Sequence, residues 1–105
     1  MPRDDAMVCA VGAFTPRMVE WSPPVCQHMA RQGRIVVDTR DADHEAGDLL
    51  QAALDVSLFA TLGDVVRPTA LGQGVLSGQG PVFFKSCGWA GWDLAAVRCA
   101  HLAQP

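Results

Sequence analysis

The sequence has little of what would mark it for nucleic acid, a membrane or a metal. It holds a single lysine, Lys85, among eight basic residues, and its formal net charge is −3. No basic stripe is therefore available for a phosphate backbone, and no Lys/Arg run marks a membrane surface. No apolar run reaches the length of a bilayer-spanning helix. The opening residues Met1-Pro2-Arg3-Asp4-Asp5 carry two acids and no signal-peptide apolar block. From these absences we expect a soluble, cytoplasmic protein with no nucleic-acid or membrane partner. The four cysteines, Cys9, Cys26, Cys87 and Cys99, form no C-x-x-C pair, which argues against a zinc knuckle or a redox motif. Each lies in apolar context, and all four read as buried, reduced thiols. What is present is an ordinary globular balance, 50% hydrophobic and 18% charged over 105 residues, enough for one small domain.

Met7-Val8-Cys9-Ala10-Val11-Gly12 is a short apolar run ending at glycine, the pattern of a strand buried on both faces of a parallel sheet. Gly12-Ala13-Phe14-Thr15-Pro16 follows as a loop. Ser22-Pro23-Pro24 opens a helix, with Ser22 as its N-cap and Gly33 as its C′ stop. Arg34-Ile35-Val36-Val37-Asp38-Thr39 is a second buried strand. Strand, helix, strand at this spacing predicts one βαβ unit, with its two parallel strands side by side.

Residues 40–54 have a helical pattern, broken near Gly47, with Asp48 capping the turn that follows. Residues 57–66 predict a further short helix. Residues 68–80, with four glycines and no period, form a loop. Pro81-Val82-Phe83-Phe84-Lys85-Ser86 is a third extended segment. Residues 89–103 form a last helix, with Trp89, Trp92, Ala96, Cys99, Ala100 and Ala103 on its inner face. The strands ask for more covering helices than the chain supplies, so it reads like the second half of something larger. The expected organisation is a single partial domain: a half-Rossmann region over 7–66, a loop over 67–80, and a strand and C-terminal helix over 81–105.

Four motifs in a fixed order carry a resemblance. They are Ala10-Val11-Gly12-Ala13-Phe14-Thr15-Pro16; Ile35-Val36-Val37-Asp38-Thr39 followed by His44-Glu45-Ala46-Gly47-Asp48-Leu49; Thr61-Leu62-Gly63-Asp64-Val65-Val66; and Phe84-Lys85-Ser86-Cys87-Gly88 running into Trp92-Asp93-Leu94-Ala95-Ala96. Together they resemble the C-terminal part of the ornithine cyclodeaminase/μ-crystallin family, and look closest to its bacterial Δ1-pyrroline-2-carboxylate reductase branch. That resemblance implies an α/β fold: the C-terminal half of a Rossmann-like domain plus a helix belonging to a dimerisation domain, hence a homo-oligomer. It also implies NADPH or NADH as cofactor and a small cyclic imino acid as substrate.

The resemblance puts Val11, Gly12, Ala13, Phe14 and Ser86 at the cofactor, and Glu45 and Cys87 near the substrate. The residues themselves leave plainer readings open. Val11-Gly12-Ala13-Phe14 can be a simple strand-to-helix turn, Ser86 a cap on the last helix, Cys87 part of that turn, and Glu45 a solvated residue at a helix start. His44, Glu45 and Asp48 do not converge on one ion at their spacing, so no metal is expected. No residue qualifies as a catalytic nucleophile or base: Cys87 has no paired histidine. Phe14 occupies the position where the resemblance places the proton-handling aspartate of the cyclodeaminases, and phenylalanine cannot titrate.

Lys85 reads as a side chain reaching out to solvent, and His28 and His101 as surface or packing residues. Asp38 ends a strand, as a ribose-binding acid would, but no G-x-G-x-x-G precedes it, and Gly72-Gln73-Gly74 and Gly78-Gln79-Gly80 lack a strand–helix context. Without the glycine-rich loop that grips a pyrophosphate, little or no autonomous activity is expected. The rival expectation is a non-catalytic module that acts by self-association or as a small-ligand binder.

Overall fold

β-Branched and aromatic runs give four short strands: β1 (Met7–Val11), β2 (Arg34–Val37), β3 (Ala60–Thr61) and β4 (Val82–Ser86). All pair parallel, in the order β1-β4-β2-β3. The computed structural model describes residues 1–67 and 78–104. Gly72-Gln73-Gly74 and most of the loop expected over 67–80 lie outside the described residues. The helices are α1 (Pro23–Gln32), α2 (Ala42–Glu45), α3 (Gly47–Leu50), α4 (Leu62–Val66) and α5 (Ala90–Leu102), with a 3-10 turn over Val56–Leu58. No described helix is long and apolar enough to cross a membrane.

β1 and β2 run parallel, as the βαβ pattern requires, but they are not neighbours. β4 lies between them, pairing Met7 with Val82 on one side and Arg34 with Val82 on the other. Its sequence suits that place: Phe83 and Phe84 supply one large ring to each face of the sheet, since successive side chains alternate.

The faces are unequal. Ala10, Ile35, Val37 and Phe83 point to one side and form a single core with Cys26 and Met29 of α1, Ala42 of α2 and Leu49 of α3. Trp21 packs its ring edge-on to Phe83, centroids 5.9 Å apart. On the opposite face Met7 is 67% and Val11 65% exposed, and a hollow there is lined by Met7, Val36, Leu62, Val65, Val82 and Phe84. β1 is therefore not buried on both faces, and Cys9 is exposed with it, as is Cys99 on α5. Only Cys26 and Cys87 are buried thiols.

Local signals fared unevenly. Ser22 holds the N-cap position of α1 without a side-chain bond, and Gly33 ends the helix through its N–H to the Met29 carbonyl at φ −130°, not in the left-handed region. The helical stretch breaks at Ala46 (ψ 78°), and α3 restarts at Gly47 with no side-chain cap. Residues 57–66 hold the end of the 3-10 turn, then β3, then α4. α4 opens with a reciprocal capping box between Thr61 and Asp64. α5 starts at Ala90 and buries none of its residues. Its expected inner face is solvent-facing apart from half-buried Trp92, because no element among the described residues packs along it.

Candidate functional site

Because the strands are parallel, their carboxyl ends share one rim, the place where ligands enter open α/β sheets. Val11 stands opposite Ser86 in register, and Val37 opposite Lys85. Gly12, Ala13 and Phe14 continue from β1, Asp38 and Thr39 from β2, and Cys87 and Gly88 from β4. Val11, Gly12 and Phe14 are exposed, Phe14 by 56%; Ala13 is buried beneath them. Ser86 is half-buried and Cys87 only 9% exposed. Glu45 sits half-buried at the end of α2, near enough for its charge to act on Cys87.

Two buried carboxylates hold this rim, and the sequence reading missed the part each plays. Asp38 closes the turn after β4. Its Oδ2 accepts from Ser86 Oγ at 3.0 Å, from the N–H of Cys87 at 3.1 Å and of Gly88 at 3.0 Å, and from Trp92 Nε1 at 3.4 Å. Its Oδ1 accepts from the Thr39 N–H at 3.0 Å. Ser86 is thus tied to Asp38 and does not cap α5. The carboxylate is turned into the protein and satisfied there, so it offers nothing to a ribose.

Asp48 holds the other loop. It does not cap α3. It is fully buried, and its Oδ1 accepts from the backbone N–H of Glu20 at 2.5 Å and of Trp21 at 2.8 Å. Its Oδ2 faces Lys85 Nζ at 3.4 Å. Lys85 does not reach solvent. The alternation that turns half-buried Phe84 and Ser86 to one face sends Lys85 to the helix-covered face of the central strand, where it is 0% exposed. Its Nζ donates to the Ala13 carbonyl at 2.7 Å. One ion pair therefore pins both ends of the loop that carries Phe14.

Two glycines make that loop possible. Gly12 has φ +118°, where a side chain is strained. At Gly47 an added Cβ would fall 2.2 Å from the Met18 carbonyl oxygen, so only glycine lets the loop lie against α3. A signal for this arrangement was present in the sequence: the chain's one lysine and an acid following Ala46-Gly47 both stand in apolar context.

Burial pushes the Cys87 thiol up to about 11; Lys85 pulls against this, while Asp38, Glu45 and Asp48 add to it. Burial raises Cys26 to about 11 as well, with Asp48 adding and Lys85 opposing. Both are neutral S–H groups at physiological pH and not nucleophiles. Exposed Cys9 and Cys99 are therefore expected to react with a disulfide reagent at pH 8 in a fast phase, and Cys26 and Cys87 in a phase at least tenfold slower. Mass spectrometry of trapped adducts reads this, and equal rates at all four would contradict it. The sign for stability follows. A thiol whose folded value lies above the ordinary 9.0 stabilises the fold below pH 9, and that contribution is lost as pH rises toward 11.

No family model matches the sequence. Among individual proteins, the chain is 41% identical over 100 residues to Delta(1)-pyrroline-2-carboxylate reductase 2 of Burkholderia ambifaria, covering 94% of this chain and 29% of that protein. It is 40% identical over the same span to Delta(1)-pyrroline-2-carboxylate reductase 1 of Burkholderia multivorans. It is 43% identical to a Delta(1)-pyrroline-2-carboxylate/Delta(1)-piperideine-2-carboxylate reductase of Azospirillum brasilense. The chain thus spans 29% of the length of each of these relatives. A solved structure titled a probable ornithine cyclodeaminase, from Bordetella pertussis Tohama I, superposes with a TM-score of 0.56 at 25% identity, over 82% of this chain and 27% of that one. Over nearly its whole length, then, the chain matches the C-terminal part of the Δ1-pyrroline-2-carboxylate reductases, and its parallel sheet and helices have the fold of an ornithine cyclodeaminase.

Proposed function

We propose that this chain holds the nicotinamide-side half of an NAD(P)H-dependent cyclic imine reductase site, and that it is inactive or nearly so alone. The observation that carries the reading is the shared rim: exposed Val11 and Phe14 beside Gly12, directly across the register from Ser86. That surface offers a flat ring apolar side chains and a glycine backbone, with one hydroxyl at its edge. The pyrophosphate of such a cofactor does not suit the start of α1, the helix that follows β1. α1 opens with Pro23 and Pro24, which remove two of the N–H groups an anion would use.

The chemistry supplied by a bound nicotinamide is hydride transfer, here to the C=N carbon of a cyclic imino acid. The chain's own residues orient and exclude. The Lys85–Asp48 pair fixes the Ala13 carbonyl, and with it the path of Val11-Gly12-Ala13-Phe14. Phe14 displaces water and carries no proton, so proton delivery to the imine nitrogen does not come from that position. Cys87 keeps its proton at neutral pH and offers a weak S–H donor, not a thiolate. Glu45, by resemblance, lies on the substrate side. α5, exposed beyond Trp92, is the segment that the resemblance assigns to a dimer contact.

The test is a titration of the purified chain with NADPH, followed by cofactor fluorescence. Weak saturable binding in the millimolar range is expected, with cyclic imine turnover below detection. No saturable change up to that range removes the reading. In its place would stand a self-associating module, which the bare apolar sheet face favours and which light scattering reads directly.

A further inference from the structure

Asp38 decides what Ser86 can recognise. A buried carboxylate has no proton to give, so the 3.0 Å contact between Ser86 Oγ and Asp38 Oδ2 requires the serine hydroxyl to be the donor. A serine hydroxyl has one proton and two lone pairs. With the proton committed inward, only the lone pairs face outward. The orientation is overdetermined. The same Asp38 oxygen also accepts from the backbone N–H of Cys87 and Gly88, which fixes the carboxylate against the turn that carries Ser86. Asp38 is 2% exposed and Ser86 half-buried, so a ligand at the rim meets the serine and not the acid.

We propose that Asp38 is a positioning residue that makes Ser86 a hydrogen-bond acceptor toward its ligand. The rim then selects a pyridine ring bearing a carboxamide, whose N–H groups can donate, over a ring of the same size whose substituent can only accept. The inference rests on the nicotinamide-side reading above, and it adds the polarity of the contact and the residue that sets it. Asp38 in this role does not touch the ring; it acts through Ser86.

Two probes isolate the point: 1-methyl-3-carbamoylpyridinium and 1-methyl-3-acetylpyridinium. They share charge and approximate size, and differ in that the acetyl group has no N–H. Each is titrated into the isotopically labelled chain while the amide resonances of Gly12, Phe14, Ser86 and Gly88 are followed by NMR. The carbamoyl probe is expected to bind about fivefold tighter, the scale of one net hydrogen bond. Ser86→Ala is expected to bring the ratio to about one, and Ser86→Thr, which keeps the hydroxyl, to preserve it. Asp38→Ala removes the acceptor and frees the serine hydroxyl to rotate outward, so the ratio should fall although Ser86 is intact. If that variant does not fold, the Ser86 pair carries the test. Equal binding of the two probes by the unaltered chain, or an unchanged ratio in Ser86→Ala, overturns this inference and leaves the half-site reading standing. Failure of either probe to shift any rim resonance overturns both.

Discussion

Replacing Lys85 with methionine is expected to cost about 3–5 kcal/mol of folding stability, because it leaves Asp48 buried without its counter-charge. Lys85 and Asp48 are both fully buried, so neither charge can recover its hydration by a small movement. A domain of this size has a total stability of about 5–15 kcal/mol, and the single variant should unfold at far lower urea. The companion change tells more. In Lys85→Met/Asp48→Asn the buried charge is gone, yet the amide oxygen can still accept the Glu20 and Trp21 N–H groups that Asp48 Oδ1 holds. This double variant should recover much of the loss. Lys85→Met/Asp48→Leu should recover less, since those two N–H groups then lose their acceptor, at about 1–3 kcal/mol for each that stays buried. Urea unfolding followed by Trp fluorescence measures all three. A single variant within 1 kcal/mol of the parent, or double variants whose losses simply add, would show that the pair does not hold the loop.

Asp38→Ala is expected to be comparably damaging for a different reason. No charge is stranded; instead several donors lose one acceptor. The Cys87 N–H is buried, and the Gly88 N–H, Ser86 hydroxyl and Trp92 indole are partly so. Water can satisfy some of these in the variant, so the loss should be about 3 kcal/mol and not a full sum over the donors. The damage should also be directional. The turn Ser86-Cys87-Gly88 and the Trp92 contact are what hold the start of α5 to the sheet, so amide exchange should accelerate along α5 and at the end of β4 before it does in α1. A loss below 1 kcal/mol, or uniform acceleration, would remove Asp38 from this role.

The two carboxylates show how far the sequence could be read. Asp48 and Asp38 were both visible as acids beside apolar runs, and each invited a local explanation: a cap for the one, a strand-end ligand for the other. Both explanations fail in the same way, since each acid serves backbone groups 27 to 50 residues distant. Lys85 is the chain's one lysine, but its direction depends on which face of β4 the helices cover. The one feature that decided this, the insertion of β4 between β1 and β2, leaves no mark within any window of the chain. The exposed side of β1 was missed for the same reason: a continuous apolar strand reads alike whether its second face is covered or bare.

The sequence by itself determined the parallel α/β class, the main strands and the outer helices, and the motif order that leads to the reductases. These follow from short-range facts: apolar runs and glycine and proline punctuation. Tertiary structure alone decided that Asp38, Asp48 and Lys85 are buried fasteners of the rim, that Ser86 is tied to Asp38, and that α5 buries none of its residues. Desolvation and hydrogen-bond satisfaction depend on neighbours brought together from distant parts of the chain, and no local pattern encodes who those neighbours are.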